Sequence, residues 1–163
     1  MLLKSILVAS AAAMLAASTS LAHAAVTQLA AGQGAKRLVI QTEDTARTFT
    51  NPFLTVTSTK VFGIPSTQTG FLVATFTGES QCSARDWCSI HLQCDSGILL
   101  DPAAADDFAF NSPGGATFAS YTVTGRSKPF TGGNHFCTVN SVAVGGGSQT
   151  LDDWVFTVEF WQQ

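Results

Sequence analysis

The residues whose types and spacing point most directly to chemistry are four cysteines, Cys82, Cys88, Cys94 and Cys137. An even set in an exported chain reads as two disulfides. No C-x-x-C occurs, so neither a zinc ribbon nor a thioredoxin-type redox pair is supported. Between the first two cysteines lies Ser83-Ala84-Arg85-Asp86-Trp87. A short loop closed by a disulfide has little conformational entropy to lose on binding, and Trp and Arg are frequent anchors of interfaces. Trp also stacks on a pyranose face, and Arg and Asp bond sugar hydroxyls. Trp87, Arg85 and Asp86 are therefore the candidate ligand-binding residues, for a carbohydrate or a cell-surface protein. The competing reading packs Trp87 over the end of the core and leaves Arg85 and Asp86 paired in solvent.

The pleat of a β-strand constrains the cysteine pairing. Cys88, Ile90, Leu92 and Cys94 share one parity, so on a single strand all four side chains point to one face. Cys88 and Cys94 would then stand about 20 Å apart, whereas a disulfide needs Cα atoms within about 7 Å. That excludes 82–137 as well, and two connectivities survive. The pairing 82–88 with 94–137 is preferred, because Cys82 ends one strand and Cys88 begins the next. Cys94–Cys137 is then expected to staple distant strands, across a sandwich.

Other reactive groups are scattered. Asp101, Asp106 and Asp107 form one acidic group and Asp152 and Asp153 another, but the alternating acids and central Gly of an EF-hand are missing. They read as turn acids. His91 points away from the cysteine face, and His135 follows Gly132-Gly133-Asn134, which reads as a tight turn. Two isolated histidines make no metal cage. No Gly-x-Ser-x-Gly elbow is present, and Gly145-Gly146-Gly147-Ser148 lacks the Lys of a phosphate loop. Glu79 and Glu159 are the acids on or beside strands that a carboxylate-based glycosidase would use, at a separation of about 5–10 Å. The chain is thus read as non-catalytic, with no metal and no cofactor.

Composition narrows the class. The chain has 163 residues, 45% hydrophobic and 12% charged, with a formal net charge of −3. Disordered acidic chains are poorer in apolar residues and richer in charge. A nucleic-acid binder needs a basic face, so no nucleic-acid partner is expected. Residues 1–24 read as a signal peptide, with Lys4, an apolar run from Ile6 to Ala17 and an Ala22-His23-Ala24 cleavage site. Cleavage would remove both methionines, Met1 and Met14. No later stretch is apolar enough to span a membrane as a helix. An exported protein of bacterial type, periplasmic or extracellular, is expected.

The elements that must position these residues are strands. Residues 25–35 read as a flexible start, and residues 36–163 as one domain. Short Thr-, Val- and Phe-rich runs alternate with Gly, Pro, Asn and Asp. The spacing predicts strands over Arg37–Thr42, Phe53–Phe62, Phe71–Thr77, Cys88–Cys94, Ile98–Leu100, Phe118–Thr124, Phe136–Val144 and Trp154–Trp161. Pro102 to Asp106 is one helix-prone turn. Asp95-Ser96-Gly97 reads as a three-residue hairpin loop with Gly97 left-handed. Trp154, Phe156, Val158 and Phe160 mark one buried face of the last strand. The predicted fold is an antiparallel β-sandwich or jelly roll of about eight strands, stapled by two disulfides.

The segment Leu151–Phe160 resembles the last strand of pilus-type subunits, although Gln162 stands where those carry a penultimate Tyr. The resemblance covers one strand and assigns no family. The expected function is an exported, non-catalytic binding module for a glycan or a protein. The alternative is a structural or surface-assembly subunit that pairs through strand edges, with Phe53–Phe62 as its edge. A carboxylate-based hydrolase and a small outer-membrane barrel are weaker readings.

Overall fold

The computed structural model describes residues 35–50, 53–95, 98–99, 110–111, 114 and 117–163. The segments expected to be a signal peptide and a helix-prone turn, most of the expected flexible start, Ser96, Gly97 and Asp101, Asp106 and Asp107 lie outside the described residues. Ten strands follow in chain order: β1 (Ala35–Glu43), β2 (Arg47–Phe49), β3 (Leu54–Ser58), β4 (Phe62–Cys82), β5 (Trp87–Cys94), β6 (Ile98–Leu99), β7 (Ala119–Arg126), β8 (Phe130–His135), β9 (Cys137–Val144) and β10 (Gln149–Gln162). They form two antiparallel sheets, and the described residues include no helix. The large sheet runs β1-β10-β4-β7, with β2 on β10 and β8 on β4. The small sheet runs β3-β9-β5-β6.

The two sheets stay separate, as a sandwich rather than a closed barrel. Period-two burial builds the interior. Trp154, Phe156, Val158 and Phe160 of β10 face Ile90 and Leu92 of β5, with Leu72 and Phe76 of β4, Val56 of β3 and Val139 of β9 in the same core. Each such side chain stabilises the fold by about 1.5–3 kcal/mol on burial. Phe76 sits 5.7 Å from Trp154 and 5.9 Å from Phe110, ring centre to centre.

Both disulfides have the expected partners, Cys82–Cys88 and Cys94–Cys137. The second does not cross the sandwich. Cys94 and Cys137 stand directly opposite each other on β5 and β9, neighbouring strands of the small sheet. The first spans the passage of the chain from the large sheet to the small one.

Other boundaries differ for local reasons. Phe53–Phe62 is not one strand. The chain leaves the small sheet at Ser58, anchors through Thr59, whose N–H donates to Cys137 O at 2.8 Å, and joins the large sheet at Phe62. Phe71–Thr77 is the middle of the 21-residue β4. Gly132-Gly133-Asn134 is strand, not turn: Gly133 pairs with Ile64 and Asn134 with Gly63. Gly132 is there for close approach, since a Cβ on it would lie 2.2 Å from Pro65 O. The break between β1 and β2 faces a bulge in β10 between Asp152 and Val155, where Asp153 has φ of 43°. β5 and β6 pair antiparallel, Cys94 with Ile98.

A chain of buried polar side chains ties the sheets together at one end. Ser141 Oγ of the small sheet donates to Gln149 Oε1 of the large sheet at 2.6 Å. Gln149 Nε2 donates to Ser80 Oγ at 3.1 Å. Asn111 Nδ2 donates to Ser80 O at 2.9 Å, while the Asn111 backbone pairs with Cys88 of β5. Ser80, Ser141 and Gln149 are fully buried, so each must keep its partners. Gln149→Leu is expected to lower stability by about 1–3 kcal/mol, because it removes the acceptor of the buried Ser141 hydroxyl and leaves Ser80 Oγ with Asn111 Nδ2 alone. Urea denaturation checks it, and a Ser141→Ala cycle should show non-additive coupling.

Candidate functional site

The clamped loop is a structural corner. Ser83 to Asp86 carries the chain from the large sheet to the small one, and Gly145 to Ser148 carries it back. The two crossings pair through their backbones. Ser83 N–H donates to Ser148 O at 2.9 Å, and Arg85 N–H donates to Gly146 O at 3.1 Å. Ala84 is buried with Cys82, Cys88 and Ala143. Gly147 has φ of 104°, and a Cβ on it would lie 2.5 Å from Ser83 O. Arg85 and Asp86 are exposed on this corner. Trp87 is half-buried at the start of β5, opposite Val144.

The parity that puts Cys88, Ile90, Leu92 and Cys94 inward puts Trp87, His91 and Gln93 on the outer face of the small sheet. The row Ser89–Val142 on this face is buried, and it separates Trp87 from what lies beyond. Beyond it is a groove of about 280 Å³, lined by Phe53, Thr55, Gln93, Asp95, Phe136, Thr138 and Asn140. Its floor is built row by row. Thr55, Asn140 and His91 stand side by side on β3, β9 and β5, and Thr138 stands beside Gln93. Thr55 Oγ1 donates to Asn140 Oδ1 at 2.9 Å, which orients the Asn140 amide. Gln93 Nε2 donates to Asp95 O at 3.1 Å. Phe53 and Phe136 rise at the sides, 54% and 42% exposed. Phe53 is fixed edge-on against the His91 ring, with centres 5.4 Å apart.

Asp95 holds the rim. It takes a φ of 52°, uncommon for a residue with a side chain. Its N–H donates to Phe136 O at 2.9 Å, and its Oδ1 accepts from Phe136 N–H at 2.8 Å. Its Oδ2 lies 2.6 Å from His135 Nδ1. His135 is buried between Phe130 and Phe62. Cys94–Cys137 sits one residue inward on both strands. Phe136 is thus held from both sides by the chain ends that the disulfide joins.

The groove brings together residues that the sequence reading did not connect. Phe53, Phe136 and the polar floor come from three strands far apart in the chain. The available signal was parity: Thr55, Gln93, Thr138 and Asn140 all oppose the inward cysteine face. Arg85 and Asp86 are not part of it. Glu79 and Glu159 do not converge: Glu159 is level with Val73 on β4, which puts Glu79 about 20 Å along the strand. A second notch, of about 380 Å³, opens at the β10 bulge and is lined by Thr42, Glu43, Asp44, Asp153, Trp154 and Val155. It is larger, but its carboxylates have no facing cation in its lining and its aromatic residue, Trp154, is buried. Among the described residues no three His, Cys, Asp or Glu side chains converge to hold a metal ion.

No protein-family model, curated protein or solved structure matches this chain.

If the corner is structural, Gly147→Ala should lower stability by about 1–3 kcal/mol, from strain at positive φ and the clash with Ser83 O. A chemical melt of the oxidised protein measures this.

Proposed function

We propose that the protein is a non-catalytic carbohydrate-binding module whose ligand lies in the outer groove of the small sheet. The observation that carries this reading is the pair of exposed phenyl rings, Phe53 and Phe136, over a floor of Thr55, Thr138, Gln93 and Asn140. A sugar ring offers an apolar face and a rim of hydroxyls. Aromatic rings cover the first, and neutral amides and hydroxyls bond the second. The floor is preformed by its own hydrogen bonds, so little entropy is lost on binding. With a single carboxylate, Asp95, already engaged by His135 and Phe136, the groove suits a neutral sugar.

Two disulfides fit an oxidising, exported environment, where cell-wall and extracellular glycans are met. No described helix is long and apolar enough to cross a membrane. Assembly through the β3 edge has less support. That strand is short, and Gln41 of β1 already reaches it, with Nε2 donating to Ser58 O at 3.1 Å and Oε1 accepting from Thr57 Oγ1 at 3.1 Å. Short, covered edges resist strand addition.

Screening the oxidised protein on neutral oligosaccharides tests the reading. At least one should bind, and Phe136→Ala should weaken it about tenfold or more, equivalent to about 1.4 kcal/mol, with the melting temperature unchanged. Binding that survives both Phe136→Ala and Phe53→Ala, or no binding to any neutral glycan, removes the groove as the site.

A further inference from the structure

The outer face of the large sheet, on the other side of the sandwich from the groove, carries a cation stacked on an aromatic ring. Arg126 ends β7, and its guanidinium carbon lies 4.0 Å from the centre of the Phe71 ring. Phe71 lies parallel to the Trp161 indole, with 2° between planes and centres 6.5 Å apart. The pleat aims Phe71 outward together with Val73 and Thr75, yet it is only 3% exposed. Arg126 and Trp161 flank and cover it.

The stack holds Arg126 in place, and among the described residues no ion pair between it and a carboxylate is seen. Its Nε and the Trp161 Nε1 are both buried with no hydrogen-bond partner. Lys128 follows, exposed, two residues on. Register places Glu159 of β10 on the same row as Val73 and Arg126, and Glu159 is itself engaged in a contact.

A guanidinium laid flat on an aromatic ring keeps its outer N–H fork in one plane and in one place. That fork matches the two oxygens of a carboxylate or the oxygens of a sulfate. The half-buried indole of Trp161 offers an aromatic surface on the same face. Next along the strands, paired hydroxyls follow: Thr75 with Thr124 at 3.0 Å and Thr77 with Thr122 at 2.9 Å. Cation, ring and hydroxyls in one line favour an acidic sugar chain over a peptide.

We propose that Arg126, with Trp161 and the neighbouring threonines, forms a second binding site, which takes the carboxylate or sulfate group of an acidic polysaccharide. It is separate from the groove and stands whether or not the groove binds neutral sugar.

Calorimetric titration of the full oxidised protein at low salt tests it with four probes: oligogalacturonate, a sulfated galactan oligosaccharide, a neutral galactan oligosaccharide and oligoglutamate. One or both anionic sugars should bind, and which of them binds identifies the anion. Arg126→Gln should weaken that binding about tenfold or more. Arg126→Lys, which keeps the charge and loses the fork, should fall between, and Phe136→Ala should leave it unchanged. Circular dichroism confirms that each variant is folded, and if Arg126→Gln is not, Arg126→Lys carries the comparison. The proposal is overturned if neither anionic sugar binds, if folded Arg126 variants bind as wild type does, if oligoglutamate binds as tightly, or if Arg126→Gln weakens binding of the neutral sugar as much as that of the anionic one.

Discussion

The hydrogen-bonded chain Ser141–Gln149–Ser80–Asn111 is the constraint on which the sandwich depends. Apolar packing would hold two sheets together at many relative positions. Buried amides and hydroxyls accept one, because any slip leaves a donor or acceptor dry and unpaired. The chain passes from β9 to β10 to β4 and returns through Asn111 to Cys88 of β5, so it fixes both sheets at the end where the chain crosses between them. The Cys82–Cys88 clamp and the glycine-rich return crossing then close that end. Polar contacts set the position, and the aromatic core around Phe76, Trp154 and Phe156 supplies most of the stabilisation.

The opposite end is fixed by different means. Cys94–Cys137 joins β5 to β9, and Asp95 reaches over the same two chain ends to His135 and Phe136. A disulfide limits the unfolded chain, while the carboxylate sets where Phe136 stands in the folded one. The small sheet can therefore keep two phenyl rings in solvent over a rigid polar floor. Exposed rings cost stability unless something covers them, and such groups mark binding surfaces more than chance. The same logic holds for Arg126, which is stacked on Phe71 and forms no ion pair with a carboxylate among the described residues.

Much of the fold was legible in residue parity. Alternation identified β10 and its buried face, and the cysteine face of β5 forbade Cys88–Cys94. What escaped depends on contacts distant in sequence. Glycines 132 and 133 suggest a turn locally, and only the close approach of Pro65 makes them strand. Arg47–Phe49 is too short to show a period, and its existence rests on pairing with β10. Cys94–Cys137 looked like a cross-sandwich staple because nothing local states that β9 lies beside β5. In the clamped loop Arg, Asp and Trp are adjacent in the chain and so legible in sequence, whereas the groove is made by residues that become adjacent only when β3, β5 and β9 pair.

An amide NMR titration of the oxidised protein with a bound neutral oligosaccharide maps ligand contact by residue. Shifts should cluster at Thr55, Gln93, Phe136, Thr138 and Asn140. Shifts concentrated instead at Arg85, Asp86 and Trp87 would contradict the groove and return the site to the clamped corner.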